Sequence, residues 1–218
     1  MSPSPPQLQL ALDDIAREDL FSLLEQVASA VDIVEVGTPL LMRYGVDIIT
    51  EIKAKHPAIK LLSDAKIMDA AHDEAAMSFD AGADYVTILA LTDDGSVREA
   101  VRAARERPGT KVVADMICVR ELPVRARELA ALGVDMLAVH TGVDQQALGR
   151  SPLDDLRELT AAGTGLCLAV AGGIRAATLA QYLHYRPQVV IVGSGIISAP
   201  DPVAEAWQIH QLVRGVAI

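Results

Sequence analysis

The residues of this chain best suited to chemistry are concentrated in one stretch, Lys60-Leu61-Leu62-Ser63-Asp64-Ala65-Lys66-Ile67-Met68-Asp69-Ala70-Ala71-His72-Asp73-Glu74-Ala75. Ile59, Leu61 and Leu62 follow Pro57 and precede a polar cluster and an alanine-rich segment, which reads as a short buried strand running into a helix. Side chains alternate along a strand, so Asp64 and Lys66 project from one face, about 6–7 Å apart. Asp69 follows three residues later, where strand gives way to helix. An amine flanked by two carboxylates keeps its charge and its place, because opposite charges a few ångströms apart favour the ionised forms of all three. Such a group suits a reaction in which negative charge develops on a substrate oxygen. An ordinary salt-bridged strand end has the same composition, so the rest of the chain must decide.

Eight apolar segments provide the frame: 8–13, 31–36, 59–65, 84–89, 111–117, 135–140, 165–170 and 189–192. Amphipathic or alanine-rich segments lie between them, at 17–30, 43–55, 70–81, 96–107, 121–132 and 176–184, with a last helix over 202–213. Eight strand–helix alternations in some 200 residues predict a single-domain α/β fold, a closed (β/α)₈ TIM barrel over residues 8–218 behind a flexible tail at 1–7; an open doubly wound sheet is the competing architecture. The composition agrees: 51% of the 218 residues are hydrophobic but only 3% aromatic, as in a buried parallel sheet of aliphatic strands. An internal echo supports repetition. Val31-Asp32-Ile33-Val34-Glu35, Ala83-Asp84-Tyr85-Val86-Thr87 and Val134-Asp135-Met136-Leu137-Ala138 each place an Asp where a strand begins. These aspartates fall on the stability face of a barrel, away from the chemistry.

The polar residues at the opposite, carboxyl ends are the candidate site. The first strand ends in Asp13, the second carries Glu35, the third Asp64 and Lys66, the fifth Asp115, and the sixth ends in His140. The seventh and eighth run into Gly172-Gly173 and Gly193-Ser194. Taken singly, each has an ordinary explanation: Asp13 as a helix cap, His140 as a bonded core histidine, the glycines as turns. Charged groups are seldom buried unless paired, however, and here they gather at one end of an apolar barrel. Glycine-rich turns leading into helices expose backbone N–H groups that can wrap a phosphate. Glu35 and Asp64, hard carboxylates on adjacent strands, could share one Mg²⁺ completed by water and substrate oxygens. Lys66 and His140 then remain as electrostatic stabiliser and proton-transfer group.

The net charge of −10 argues against nucleic acid and anionic membrane as partners, since either needs a basic surface. No segment has the length and apolarity of a membrane span, and the proline-rich start lacks the pattern of a signal peptide. Cys118 and Cys167, the two cysteines, read as small buried hydrophobes in a reducing cytoplasm.

The motif Asp64-Ala65-Lys66-Ile67-Met68-Asp69 resembles the Asp-x-Lys-x-x-Asp signature of the orotidine monophosphate decarboxylase superfamily. The likeness extends from about Leu8 to Val213. Leu8-Gln9-Leu10-Ala11-Leu12-Asp13, Asp32-Ile33-Val34-Glu35-Val36-Gly37-Thr38-Pro39 and Val139-His140-Thr141-Gly142-Val143-Asp144-Gln145-Gln146 look like the 3-hexulose-6-phosphate synthase branch. The orotidine monophosphate decarboxylases have a lysine where this chain has Glu35. The 3-keto-L-gulonate-6-phosphate decarboxylases share Glu35 but have arginine in place of Val143, glutamate in place of Asp115 and typically arginine in place of Ser194. All three differences favour the synthase branch. The resemblance implies a Mg²⁺-dependent lyase, with Mn²⁺ as a possible substitute. It would join formaldehyde to D-ribulose 5-phosphate through an enediolate held by the metal and Lys66, with His140 moving the proton. It also implies a homodimer in which Asp69 completes the partner's site. A keto-gulonate phosphate decarboxylase and a catalytically silent sugar-phosphate-binding barrel are the alternatives.

Overall fold

The computed structural model describes residues 5–215. Eight parallel strands, β1 (Gln7–Leu12), β2 (Ile33–Val36), β3 (Lys60–Ile67), β4 (Tyr85–Leu89), β5 (Lys111–Asp115), β6 (Met136–His140), β7 (Cys167–Ala171) and β8 (Val189–Val192), pair in sequence order. β8 closes on β1, Gln7 opposite Val189 and Leu10 opposite Val192. The fold is therefore the closed barrel expected from the alternation, and the open sheet is ruled out.

The helices that cover it are α1 (Arg17–Val27), α2 (Thr38–Tyr44), α3 (Asp47–Lys55), α4 (Ala71–Asp80), α5 (Asp94–Arg105), α6 (Leu122–Leu132), α7 (Val143–Ala147), α8 (Leu153–Ala162), α9 (Leu179–Leu183), α10 (Ser194–Ile197) and α11 (Pro202–Val213). Side-chain alternation divides the interior in two. Leu8, Leu10 and Leu12 face outward into the large core between strands and helices, whereas Ala11, Ile33, Leu62, Val113 and Met136 fill the barrel itself. Local sequence sets the helix ends. The Asp93 carboxylate accepts from the N–H groups of Gly95 and Ser96 to start α5, and Asp201 does the same for Ala204 in α11. Gly133 ends α6 in the left-handed conformation.

Departures from the sequence reading are local. The segment 43–55 is two helices, because Gly45 breaks it with φ +66°. The helix after Gly193 is the short α10, and the connection from β6 to β7 holds two helices, the short α7 and the longer α8. β1 already includes Gln7, and residues 1–4 of the expected tail lie outside the described residues. Among the described residues, no helix is long and apolar enough to cross a membrane.

Candidate active site

β3 holds the centre of the site, and it is not a regular strand. Ser63 lies opposite Val86 of β4 but Ile67 lies opposite Ile88, so four steps along β3 match two along β4. Lys66 adopts the left-handed conformation, φ +47°, which is uncommon for a residue with a side chain. Thr87 fills the gap: its Oγ1 accepts from the Lys66 N–H at 2.9 Å and donates to Asp64 Oδ1 at 2.9 Å. The distortion carries Lys66 Nζ back onto Asp64, 2.9 Å from each carboxylate oxygen. Thr38, at the start of α2, donates to the other side of Asp64, at 3.0 Å from Oδ2.

The second carboxylate on Lys66 is not Asp69. Nζ lies 2.9 Å from Asp115 Oδ2, at the end of β5. Asp69 is exposed, accepts from the N–H of Ala70 at 2.8 Å, and lines a separate hollow with His72, Ser96 and Arg102. The left-handed turn at Lys66 and the start of α4 send the two ends of the motif in different directions, which a two-residue period does not reveal. Asp115 continues the array: its Oδ1 accepts from the Ile117 N–H at 2.9 Å, and its Oδ2 lies 2.9 Å from His140 Nδ1. Asp64, Lys66, Asp115 and His140 thus form one unbroken chain of hydrogen bonds across β3, β5 and β6.

Burial and neighbouring charge set the protonation of this array. Burial works against the Lys66 ammonium, but the Asp64 and Asp115 carboxylates override it and hold the group above the ordinary lysine range. Burial would raise the Asp115 carboxyl, yet the hydrogen bond and charge of His140, with Lys66, bring it down to about 2. Glu35 behaves oppositely. Burial and the adjacent charge of Asp64 push its carboxyl well above the usual range, against the pull of the Gln9 amide. Asp13 is raised for the same two reasons, burial first and Asp64 second.

A cavity of about 730 Å³ opens at the carboxyl ends of the strands. Asp13, Glu35, Asp64, Lys66, Asp115, His140, Gly172, Gly173, Gly193 and Ser194 all line it, so of the residues singled out by sequence only Asp69 stands apart. Gly172 (φ +122°) and Gly173 (φ +69°) hold conformations that favour glycine, and a Cβ on Gly172 would sit 2.7 Å from the Thr141 carbonyl oxygen. The N–H groups of Gly172, Gly173, Gly193, Ser194 and Gly195 have no acceptor among the described residues. The two glycine turns, which line the cavity, therefore carry five N–H groups without a backbone acceptor among the described residues. Asp13 does not cap α1, whose N-cap is Ala16.

Cys118 corrects another expectation. It is exposed rather than buried, lines the cavity in the left-handed conformation (φ +62°), and lies 3.5 Å from Gln145 Nε2. Cys167 is half-buried, and burial pushes its thiol up. Sequence reasoning missed Gln9, Thr38 and Thr87. The signal existed for two of them: Gln9 and Thr87 are polar residues at inward-facing positions of otherwise apolar strands.

The donor set suits a hard divalent cation. Two carboxylates, Glu35 and Asp64, face the same cavity, and the first is driven toward protonation by burial and by its neighbour's charge, a conflict that a cation relieves. Among the described residues no three His, Cys, Asp or Glu side chains come together as an ion site, so an ion here would take most of its ligands from water and substrate.

A closed parallel barrel with a charged, hydrogen-bonded array at its carboxyl mouth defines an enzyme of the (β/α)₈ class. The chain belongs to the orotidine 5'-phosphate decarboxylase / HUMPS family, whose model matches residues 6–209. It is 42% identical over 207 residues to 3-hexulose-6-phosphate synthase 2 of Staphylococcus saprophyticus, covering 95% of this chain and 97% of that protein. It is 40% identical over 207 residues to the 3-hexulose-6-phosphate synthase of Bacillus subtilis, covering 95% and 98%. The crystal structure of 3-hexulose-6-phosphate synthase from Salmonella typhimurium matches with a TM-score of 0.93 at 49% identity, over 97% of this chain and 100% of that one. The structure of KGPDC from Streptococcus mutans in complex with D-R5P has a TM-score of 0.89 at 21% identity, over 97% and 98%, a likeness of fold.

Proposed function

We propose that this enzyme is a lyase that joins formaldehyde to D-ribulose 5-phosphate, giving 3-hexulose 6-phosphate in a reversible aldol reaction. The observation that carries this reading is the unbroken array Asp64–Lys66–Asp115–His140, which ends at an imidazole lining the cavity. The synthase relatives, at 40–49% identity, support the choice of substrates.

The free N–H groups of the two glycine turns bind the phosphate and fix the sugar's position. Asp115 holds Nδ1 of His140 as a donor, which leaves the lone pair of Nε2 for the substrate; Nε2 has no protein partner among the described residues. Nε2 removes the proton from C1 of ribulose 5-phosphate. The electron pair left behind spreads onto the adjacent carbonyl oxygen, and the Lys66 ammonium stabilises the charge that develops there. C1 then attacks the carbon of formaldehyde to form one C–C bond, and the former aldehyde oxygen takes up the proton. Glu35 and Asp64 would hold Mg²⁺, or Mn²⁺ in its place, which when bound would add positive charge beside the substrate oxygens. Val143, 81% exposed on the cavity wall, offers no donor where a keto-gulonate phosphate decarboxylase would have a guanidinium.

Proton removal before carbon–carbon bond formation has a direct test. In D₂O, with ribulose 5-phosphate and Mg²⁺ but no formaldehyde, the enzyme should exchange a C1 hydrogen for deuterium, and His140→Gln should abolish the exchange; an enzyme that exchanges nothing without formaldehyde would contradict this order of steps. The reading also includes a homodimer in which Asp69 of one copy reaches the cavity of the other, consistent with its position outside its own chain's site. Specific activity should then fall as dilution separates the copies, and constant activity in a monomer would remove Asp69 from the site.

A further inference from the structure

Among the inward-facing residues of β1, Gln9 is anomalous. It is 1% exposed and stands among the apolar side chains of the barrel interior, near Ala11, Ile33, Leu62, Met136 and Ile191. Its Nε2 donates to Glu35 Oε2 at 2.6 Å, the only orientation of the amide that suits a carboxylate, which can only accept. Its Oε1 is buried and has no partner among the described residues, although the side chain lines the cavity. An apolar side chain of the same shape would fill this position without leaving an acceptor unpaired, so core packing does not explain a glutamine here.

We propose that Gln9 is a positioning residue for the cation site. Its N–H anchors one oxygen of Glu35 and thereby aims the other at the ion. Partners of this kind hold first ligands in orientation, and their loss weakens metal binding about 10- to 100-fold. The inference rests on Glu35 being a cation ligand, and the experiment separates the two ideas.

Mn²⁺ binding to the full-length, chelator-treated protein is titrated by electron paramagnetic resonance for wild type, Glu35→Gln, Gln9→Met and Gln9→Leu, and the thermal midpoint of each metal-free protein is recorded. Wild type should bind Mn²⁺ and Glu35→Gln should lose most of that affinity. Gln9→Met and Gln9→Leu should bind at least about tenfold more weakly while still melting cooperatively as folded barrels, because the lost donor to Glu35 is set against removal of a buried unpaired acceptor. Wild-type affinity in both Gln9 variants, with weakened binding in Glu35→Gln, would overturn the role of Gln9 and leave Glu35 as a ligand. Unchanged binding in Glu35→Gln, or none in wild type, would remove the cation site and the proposal with it. Weaker binding accompanied by loss of the cooperative melt in both Gln9 variants would make the residue structural and also overturn the proposal.

Discussion

Aspartates stand at both ends of this barrel, and their surroundings give them opposite work. At the amino end, Asp32, Asp84 and Asp135 each precede an even-numbered strand and accept from the N–H of the second residue of the strand before it: Leu8 at 2.8 Å, Leu61 at 2.8 Å and Val112 at 2.9 Å. Each also meets one cation from the helical layer, Arg214, Lys53 and Arg105 respectively. At the carboxyl end, Asp64 and Asp115 share a single ammonium, accept further hydrogen bonds from Thr87, Thr38 and Ile117, and are nearly sealed from solvent beside the cavity. The amino-end carboxylates satisfy strand ends that would otherwise lack an acceptor. The carboxyl-end pair hold a charge in place beside the cavity. Residue type is the same at both ends; what differs is whether the partner is backbone that must be tied or a side chain that must be poised.

The sharpest way to break this contrast is Lys66→Ala. If the carboxyl-end array is catalytic, turnover should drop by on the order of 10²-fold or more while the protein melts cooperatively as a folded barrel. Steady-state kinetics beside a thermal melt would show this, and wild-type turnover would reduce the central motif to an ion pair.

A smaller effect of the opposite kind is expected at the amino end. Asp84→Ala removes an acceptor from Leu61 and the partner of Lys53, which should destabilise the fold by about 1–3 kcal/mol and leave turnover unchanged. A urea melt with kinetics on the same sample checks it. Lost turnover at unchanged stability would erase the distinction between the two ends.

The contrast also shows what could be read from the chain. The three echoing aspartates were legible as amino-end residues because they recur at equivalent places before strands. A fourth member was not: Gln188, before β8, accepts from the N–H of Leu168 at 2.7 Å through its amide oxygen, so the same task is done by a different residue type and escapes a search for Asp. At the carboxyl end, strand alternation located Asp13, Glu35, Asp64, Lys66, Asp115 and His140 in one cavity, because each lies near the end of an apolar strand. Which of them bond to one another was not legible. The partnership of Lys66 with Asp115 depends on a register shift and a left-handed lysine, and on β5 standing one strand beyond β3 with β4 between them, all products of tertiary packing. For the same reason the regular period pairs Lys66 with the neighbouring Asp69, and an apolar strand pattern reads Cys118 as core although it lies past the end of β5 on the cavity wall.

The activity itself is tested most directly by following formaldehyde with purified protein, ribulose 5-phosphate and Mg²⁺, beside samples lacking the sugar phosphate or containing EDTA. Formaldehyde should disappear only when sugar phosphate and metal are both present. No loss of formaldehyde, with CO₂ released instead from 3-keto-L-gulonate 6-phosphate, would contradict the aldol reaction and assign the same array to decarboxylation.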